Sequence, residues 1–161
     1  MLDVKKYTFA IEINPVEEGR MYTRMPLHCT IMHWFYTAST PDELALAAKE
    51  AFKGHVPVGL VSKAAEQYGP NRDIPVHSIV QSVELMSLHR RLYRALNKLG
   101  VRYTHPEYVG SGYLPHVATR VESSFPVGSR HRVRRIYLAE ALDDGTPPQK
   151  AVRQILELET R

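Results

Sequence analysis

The segment over residues 85–99 constrains the fold most, because its pattern predicts an amphipathic helix with one continuous apolar side. Its leucines recur at the three- and four-residue spacing of a helix, at Leu85, Leu88, Leu92, Leu96 and Leu99. Arg90, Arg94 and Lys98 form a basic stripe at four-residue spacing, and Gly100 is placed to cap the helix. A helix of this kind must bury its leucines, so the rest of the chain has to supply a surface for them.

Alternating segments rich in β-forming residues supply that surface. Residues 7–13 predict a strand that ends at Asn14-Pro15, and residues 27–36 predict a second strand after a loop over 15–26. Further strands are expected over 56–63, 76–83, 114–121 and 132–142, with 151–159 as a last strand or a short helix.

A second helix is predicted after Thr40. Thr40 is the N-cap, Pro41 occupies the first turn, and Glu43 completes a capping box. This helix runs to about Phe52, and Gly54 ends it. The order of elements indicates an α+β fold of two similar halves, each with one helix over a mixed or antiparallel sheet, although several topologies share this order.

The length of 161 residues suits one domain over residues 1–161. The N-terminal segment has no apolar run of the length of a signal peptide or membrane span. The single cysteine, Cys29, excludes an internal disulfide framework and a cysteine-rich zinc site. We therefore expect a cytoplasmic protein that does not associate with a membrane.

The charge balance is basic, with a net charge of +4, and it is uneven. Residues 130–135 (RHRVRR) hold four arginines, and residues 89–94 (HRRLYR) hold three. Such clusters favour anionic partners or form a solvated surface. The 17 acidic residues argue against a dedicated duplex-DNA binder and favour a small enzyme with a local anion site.

Two histidines occupy matching contexts about half the chain apart. His28 lies in MPLHCT and His116 in LPHVAT. Alternation along a strand puts His28 and Thr30 on one face, with Cys29 and Ile31 in the core. In the same way, His116, Ala118 and Arg120 share a face, opposite to Val117, Thr119 and Val121.

These two motifs, one in each half of an α+β chain, resemble those of the two-histidine (2H) phosphoesterases, which include the 2′-5′ RNA ligase-like proteins and the RNA cyclic phosphodiesterases. The resemblance covers nearly the whole chain in element order and motif placement. It implies a bilobal, pseudo-symmetric fold of two antiparallel or mixed sheets, each with a helix, and an active cleft between the lobes. The second motif departs from the family pattern, because Ala118 stands where a hydroxyl is usual.

The resemblance also implies chemical roles. Cleavage of a phosphodiester requires a base on the attacking oxygen and an acid on the leaving oxygen, and His28 and His116 would form this pair. Thr30 would bind the phosphate. Thr119 inherits the second phosphate-binding role only if a bulge turns it into the cleft, and Arg120 is our own candidate for a substitute. This scheme requires no metal and no cofactor.

Aromatic side chains near the motifs are candidates for base stacking. Tyr7 and Tyr113 are expected to line the cleft, and Trp34 is expected to pack in the core or in a turn. His33 is expected on the strand face opposite His28, in a structural role. The same structural role is expected for His55, His77, His89, His105 and His131, which have no metal-ligand spacing.

The sequence thus predicts a monomeric, metal-independent phosphodiesterase that acts on RNA ends, on 2′-5′ or 3′-5′ oligonucleotides, or on cyclic nucleotides and dinucleotides. The alternative is a non-catalytic RNA- or nucleotide-binding module on the same fold, which Ala118 favours. A metal-dependent hydrolase is disfavoured because the chain lacks the H-x-x-E-H motif and its variants. The loops over 14–26 and 104–114 are expected to select the substrate.

Overall fold

Two helices lie over one face of an antiparallel sheet. The computed structural model describes residues 3–142 and 148–158. The helices are α1 (Pro41–Phe52) and α2 (Val83–Lys98). The strands are β1 (Lys5–Glu12), β2 (Met21–Tyr22), β3 (His28–Thr37), β4 (Gly59–Tyr68), β5 (Ile74–Ile79), β6 (Arg102–Tyr103), β7 (His116–Ala118), β8 (Arg130–Arg132), β9 (Arg135–Leu142) and β10 (Gln149–Glu157). Two 3₁₀ turns, Pro106–Tyr108 and Gly110–Gly112, precede β7.

The capping box predicted for α1 is confirmed. The Thr40 hydroxyl accepts the N–H of Glu43 at 3.2 Å, and the Glu43 carboxylate accepts the N–H of Thr40 at 3.0 Å. Two backbone donors at the helix start are therefore satisfied by side chains. Gly54 follows the helix with a φ of +70°, a conformation that favours glycine.

Helix α2 begins where a strand was predicted to continue. The Ser82 hydroxyl accepts the N–H of Leu85 at 3.1 Å, so the strand expected over 76–83 ends at Ile79. The first four leucines of the predicted stripe are fully buried. Leu99 lies beyond the last helical residue and is 38% exposed, so it is not part of the buried row.

Four other predicted segments differ from the observed strands, and the first of them, 56–63, is observed as β4 (Gly59–Tyr68). The segment 132–142 divides into β8 and β9, because the chain changes its pairing partner from β4 to β1 and β10 at this point. The strand over 114–121 is reduced to the three residues of β7, and the loop over 15–26 contains the short strand β2. The last segment is a strand, β10; residue 159, at its predicted end, lies outside the described residues.

The strands of the described residues form one sheet, in the order β2-β10-β9-β1-β3-β7-β5-β4-β8, with β6 also paired to β3. All the pairs are antiparallel. The prediction of two separate sheets is therefore wrong. The two halves of the sheet meet where β3 pairs with β7, through the single residue pair Cys29 and Val117. This junction brings the two histidine motifs side by side.

The two faces of the sheet have different roles. The helices cover one face, where Phe9, Cys29 and Val117 join the leucines of α2 in the main hydrophobic core. The other face carries a smaller cluster that includes Ala10 and Tyr137. We call this second face, opposite the helices, the open face. No helix within the described residues is long and apolar enough to cross a membrane.

The alternation along β3 breaks before His33. The pairing of β1 with β3 is irregular at two points, between Tyr7 and Phe9 and between Phe9 and Ala10. As a result, the consecutive residues Ile31 and Met32 both lie in the core. The prediction that His33 faces away from His28 assumed unbroken alternation along β3, and this assumption is wrong.

The pKa of His33 is lowered chiefly by burial, with a contribution from the charge of His116 on the neighbouring strand.

Candidate active site

A cavity of about 380 Å³ lies on the open face. Its lining includes Thr8 and Ala10 from β1, His28 and Thr30 from β3, and Tyr137 from β9. These residues face the cavity because their chain neighbours, such as Phe9 and Cys29, are buried in the core on the other side of the sheet. The cavity therefore sits on the same part of β3 that pairs with β7.

The backbone holds the two histidines in the same way. The Nδ1–H of His28 donates to the carbonyl of Pro26 at 2.8 Å. The Nδ1–H of His116 donates to the carbonyl of Leu114 at 2.8 Å. A carbonyl can only accept, so each bond fixes the neutral ring with its proton on Nδ1. In both rings, Nε2 is thereby left as the nitrogen that can accept or deliver a proton.

The sheet brings these rings to adjacent strands. Cys29 pairs with Val117 in antiparallel register, so Thr30 lies across from His116 and His28 lies across from Ala118. Both histidines lie on the open face, since Cys29 and Val117 are fully buried on the helix side. His28 lines the cavity, whereas His116 stands one strand away, with its ring 5.0 Å from that of Tyr68.

The cavity is positively charged. Its lining includes Arg24, Arg120 and Lys150, and no acidic side chain is among the described residues that line it. Arg24 is paired with Glu122 at 2.9 Å. The guanidinium of Arg120 donates to the carbonyl of Met25, which fixes it beside His28. Cations confined in a partly enclosed site attract an anion strongly, because the low local polarity strengthens their charge interactions.

The pKa of His28 is lowered from its ordinary 6.5 to about 4. Burial is the main cause, because desolvation disfavours the charged ring. The hydrogen bond to Pro26 opposes this effect, while the positive charges of Arg120, His116 and Lys150 add to it. The imidazole of His28 is therefore neutral at pH 7 in the unliganded protein.

Of the predicted phosphate-binding residues, Thr30 and Arg120 line the cavity and Thr119 does not. The hydroxyl of Thr119 is hydrogen-bonded to Nδ1 of His77 at 3.0 Å, on the side of the strand away from His116. No bulge in β7 directs the Thr119 side chain toward the cavity, because the pairing of β5 with β7 is regular from Val76–Ala118 to Ser78–His116. Arg120 shares the face of His116, as alternation predicts.

The tyrosines predicted to stack on bases are buried instead. Tyr7 is 1% exposed and Tyr113 is 5% exposed, and both belong to the main core. The hydroxyl of Tyr113 donates to the backbone carbonyl of Thr30 at 2.8 Å, so this side chain holds β3 from the helix side of the sheet. Among the described residues, Trp34 and Tyr137 line the cavity, and the ring of Tyr68 lies beside that of His116. The expectation that Trp34 packs in the core or in a turn is therefore wrong.

His89 has a larger structural role than the sequence indicated. It is fully buried on α2, and its Nδ1–H donates to the carbonyl of Ile31 at 2.7 Å. Its Nε2 accepts the N–H of Gly110 at 2.9 Å, and its ring stacks on Tyr113 at 4.0 Å. His89 thus connects β3, just after Thr30, to the turn that leads into His116. The only signal in the sequence is a polar residue within the apolar stripe of α2.

The described residues contain no group of three or more histidine, cysteine, aspartate or glutamate side chains that could hold a metal ion.

The comparisons with known proteins identify the fold. No family model matches the sequence, and no curated protein sequence matches it. Among solved structures, the chain is similar to a phosphoesterase, with a TM-score of 0.67, 15% identity, and coverage of 99% of this chain and 100% of the other. It is similar to E. coli LigT complexed with 3′-AMP, with a TM-score of 0.67, 16% identity, and coverage of 98% and 100%. It is also similar to TT0787 of Thermus thermophilus, with a TM-score of 0.61, 13% identity, and coverage of 97% and 99%.

These similarities extend over the full length of each chain, so the protein has the same fold as LigT. The predicted resemblance to the two-histidine phosphoesterases is confirmed at the level of the fold.

Proposed function

We propose that this protein is a two-histidine phosphodiesterase that uses no metal ion. The observation that carries the proposal is the matched pair His28 and His116, each with Nδ1–H tied to the carbonyl two residues earlier. Two rings held in this way on adjacent strands, beside a cationic cavity, suit acid–base cleavage of a phosphodiester. The substrate would be an RNA end, a 2′-5′ or 3′-5′ oligonucleotide, or a cyclic nucleotide.

In the reaction we infer, His28 is the base. Its lowered pKa keeps Nε2 unprotonated, so it can take a proton from the attacking hydroxyl or water. His116, in the charged form that carries a second proton on Nε2, gives this proton to the leaving oxygen as the bond between that oxygen and phosphorus breaks. Thr30, Arg120 and Lys150 would hold the non-bridging phosphate oxygens by hydrogen bonds and charge.

Comparison with LigT supports a nucleotide ligand. LigT has the same fold, and its structures contain 3′-AMP, ATP or phosphate. These ligands share the phosphate group that a cavity lined by Arg24, Arg120 and Lys150 would attract.

The test is turnover of a substrate panel by the wild type, His28→Ala and His116→Ala, each with and without EDTA. The panel contains 2′,3′-cyclic nucleotides, 2′-5′ and 3′-5′ oligonucleotides, and cyclic dinucleotides. We expect EDTA to have no effect, and each substitution to lower kcat by a factor on the order of 10²–10⁴. Activity that EDTA removes and that survives both substitutions would contradict the proposal.

The second candidate is a non-catalytic nucleotide-binding module. It is favoured by Ala118 and by the engagement of Thr119 with His77, which leave the second motif without a hydroxyl on the open face. In this case the wild type would bind members of the panel and leave them intact over long incubation. The histidine substitutions would then weaken binding only modestly.

A further inference from the structure

A row of cations and an aromatic ring crosses three strands beyond the cavity. Lys6 on β1 pairs with Tyr36 on β3, and Tyr36 pairs with Arg102 on β6. The ammonium of Lys6 lies 5.8 Å from the centre of the Tyr36 ring, and the guanidinium of Arg102 lies 5.1 Å from it. We call these three residues the cationic row.

The cationic row lies on the open face. The residues next to its members in the chain, Tyr7, Phe35 and Tyr103, belong to or pack against the core on the helix side. Side chains alternate between faces along a strand, so the members of the row point the other way. The row and the cavity therefore share one side of the sheet.

Trp34 connects the row to the cavity. It lines the cavity, and the ammonium of Lys6 lies 5.5 Å from the centre of its ring. From Thr30, in the cavity, to Tyr36 the strand advances at most about 20 Å. A ligand whose phosphate lies beside Thr30 and which also reaches Tyr36 would extend along this part of the strand, as an oligonucleotide can.

The cations of the row are available to an anion. Within the described residues, neither Lys6 nor Arg102 forms a salt bridge. Contact with the aromatic rings holds both cations near the sheet and leaves their N–H groups free to donate. Trp34 and Tyr36 are partly exposed. Cations beside accessible aromatic rings are typical of proteins that bind single-stranded nucleic acid, because phosphates pair with the cations and bases stack on the rings.

We infer that a single-stranded oligonucleotide runs from the cavity across Trp34 onto the cationic row. Phosphates next to the scissile one bind Lys6 and Arg102, and a base stacks on Trp34. This inference rests on the proposed function and narrows its substrate class to oligonucleotides rather than isolated cyclic mononucleotides. It also gives a role to basic residues that lie outside the two arginine-rich segments of the sequence.

The first test measures binding of a fluorescein-labelled, single-stranded RNA octamer by anisotropy between 50 and 200 mM salt, in a His116→Ala background that limits cleavage. The double change Lys6→Gln with Arg102→Gln should raise Kd about tenfold and reduce the salt slope of log K by about 1.4, because two phosphate contacts are lost. The matched control is Arg90→Gln with Arg94→Gln, which removes equal charge from the exposed side of α2. Equal effects of the two double changes would overturn the inference. So would an acidic peptide of equal charge that competes as well as RNA.

The second test uses the fact that Trp34 is the only tryptophan of the chain. Binding of the octamer should quench the fluorescence of Trp34, because a base stacks on its ring. An octamer that binds and leaves this fluorescence unchanged would overturn the predicted path.

A third measurement separates the inference from the proposed function. In the otherwise wild-type protein, the Lys6→Gln, Arg102→Gln variant should lower the ratio of kcat/KM for an oligonucleotide to kcat/KM for a 2′,3′-cyclic mononucleotide about tenfold. An unchanged ratio with active protein would overturn the inference alone. Absence of turnover on every substrate, with the binding effects intact, would overturn the proposed function and leave the oligonucleotide path standing.

Discussion

Two backbone carbonyls, those of Pro26 and Leu114, determine which nitrogen of each histidine is free. Each accepts an Nδ1–H at 2.8 Å, so the two rings have the same tautomer and offer Nε2. The acceptor for His28 is the carbonyl of Pro26, whereas the acceptor for His116 is that of Leu114, the residue before Pro115. The two histidines thus share one hydrogen-bonding arrangement, with the acceptor two residues earlier in each case.

Arg120 and Thr119 provide a residue-scale prediction, because only one of them faces the cavity. Arg120→Gln should lower kcat/KM by about 10- to 100-fold, the usual loss for a charge-assisted hydrogen bond to phosphate. Thr119→Val should change it less than about threefold, since its hydroxyl is bonded to His77. Steady-state kinetics on the best substrate of the panel, with Tm as the check on folding, decides between them. A larger loss in Thr119→Val than in Arg120→Gln would contradict this assignment.

The alternation of side chains between the two faces of a strand explains which site residues could be predicted from the sequence. It grouped His28 with Thr30 and His116 with Arg120, and the structure brings Thr30 and Arg120 to one cavity. Tyr7 and Tyr113 were predicted from their residue type and their nearness to the motifs, without regard to which side they face. Both are core residues on the helix side of the sheet.

The start of α1 gives a prediction at the scale of one element. Thr40→Ala removes one side of the capping box and should lower the free energy of unfolding by about 1 kcal/mol. Ser39→Ala, one residue earlier, is the control and should be nearly neutral. Urea denaturation of both variants is the measurement; equal stability of Thr40→Ala and wild type would show that the cap contributes nothing.

His89 gives a second element-scale prediction. His89→Leu leaves the carbonyl of Ile31 and the N–H of Gly110 without their partner, which should cost about 1–3 kcal/mol of stability. The carbonyl of Ile31 directly follows Thr30 in β3, and the N–H of Gly110 belongs to the turn that precedes His116. Loss of both hydrogen bonds should displace these two site residues, so kcat should fall more than KM rises. His89→Gln, whose amide both donates and accepts, should recover part of both losses. A fully active and stable His89→Leu variant would exclude a positioning role.

Helix ends and most strands were predictable because their signals are local. Thr40 caps the start of α1 and Gly54 follows its end, as predicted, whereas the start of α2 at Ser82 was missed because 76–83 was predicted as a strand. The division of 132–142 into two strands depends on a change of pairing partner, which has no local signal. The register shifts that interrupt the alternation along β3 likewise arise from its pairing with β1. The pairing register between strands that are far apart in the chain could therefore not be predicted from the sequence.

At the scale of the whole molecule, the two predicted sheets are one sheet. The α+β class and the two helices were predictable from element order and periodicity, whereas the choice between a mixed and an antiparallel sheet stayed open. The connection of the two halves was not predictable, because it consists of one residue pair, Cys29 and Val117, between strands far apart in the chain. That single pair is also what places the two histidines on adjacent strands.

The pH dependence of global stability should report the buried state of His28. Its folded pKa, about 4, is below the ordinary 6.5, so the unfolded chain binds its proton first as the pH falls. The neutral, buried state of His28 therefore contributes fully to the free energy of unfolding above pH 6.5. This contribution is lost as the pH falls from 6.5 to 4. His28→Gln cannot titrate, so its free energy of unfolding, measured in urea at several pH values, should fall less steeply in this window. Parallel curves for variant and wild type would contradict the lowered pKa.

The most direct measurement of the central claim is the pH dependence of kcat/KM for the wild type and the two histidine variants. We predict a bell for the wild type, whose acidic limb lies well below pH 6.5 and reports His28 as the base. The residual activity of His28→Ala should lose the acidic limb, and that of His116→Ala should lose the basic limb. An acidic limb that persists in His28→Ala, or a profile that neither substitution changes, would contradict the two-histidine mechanism.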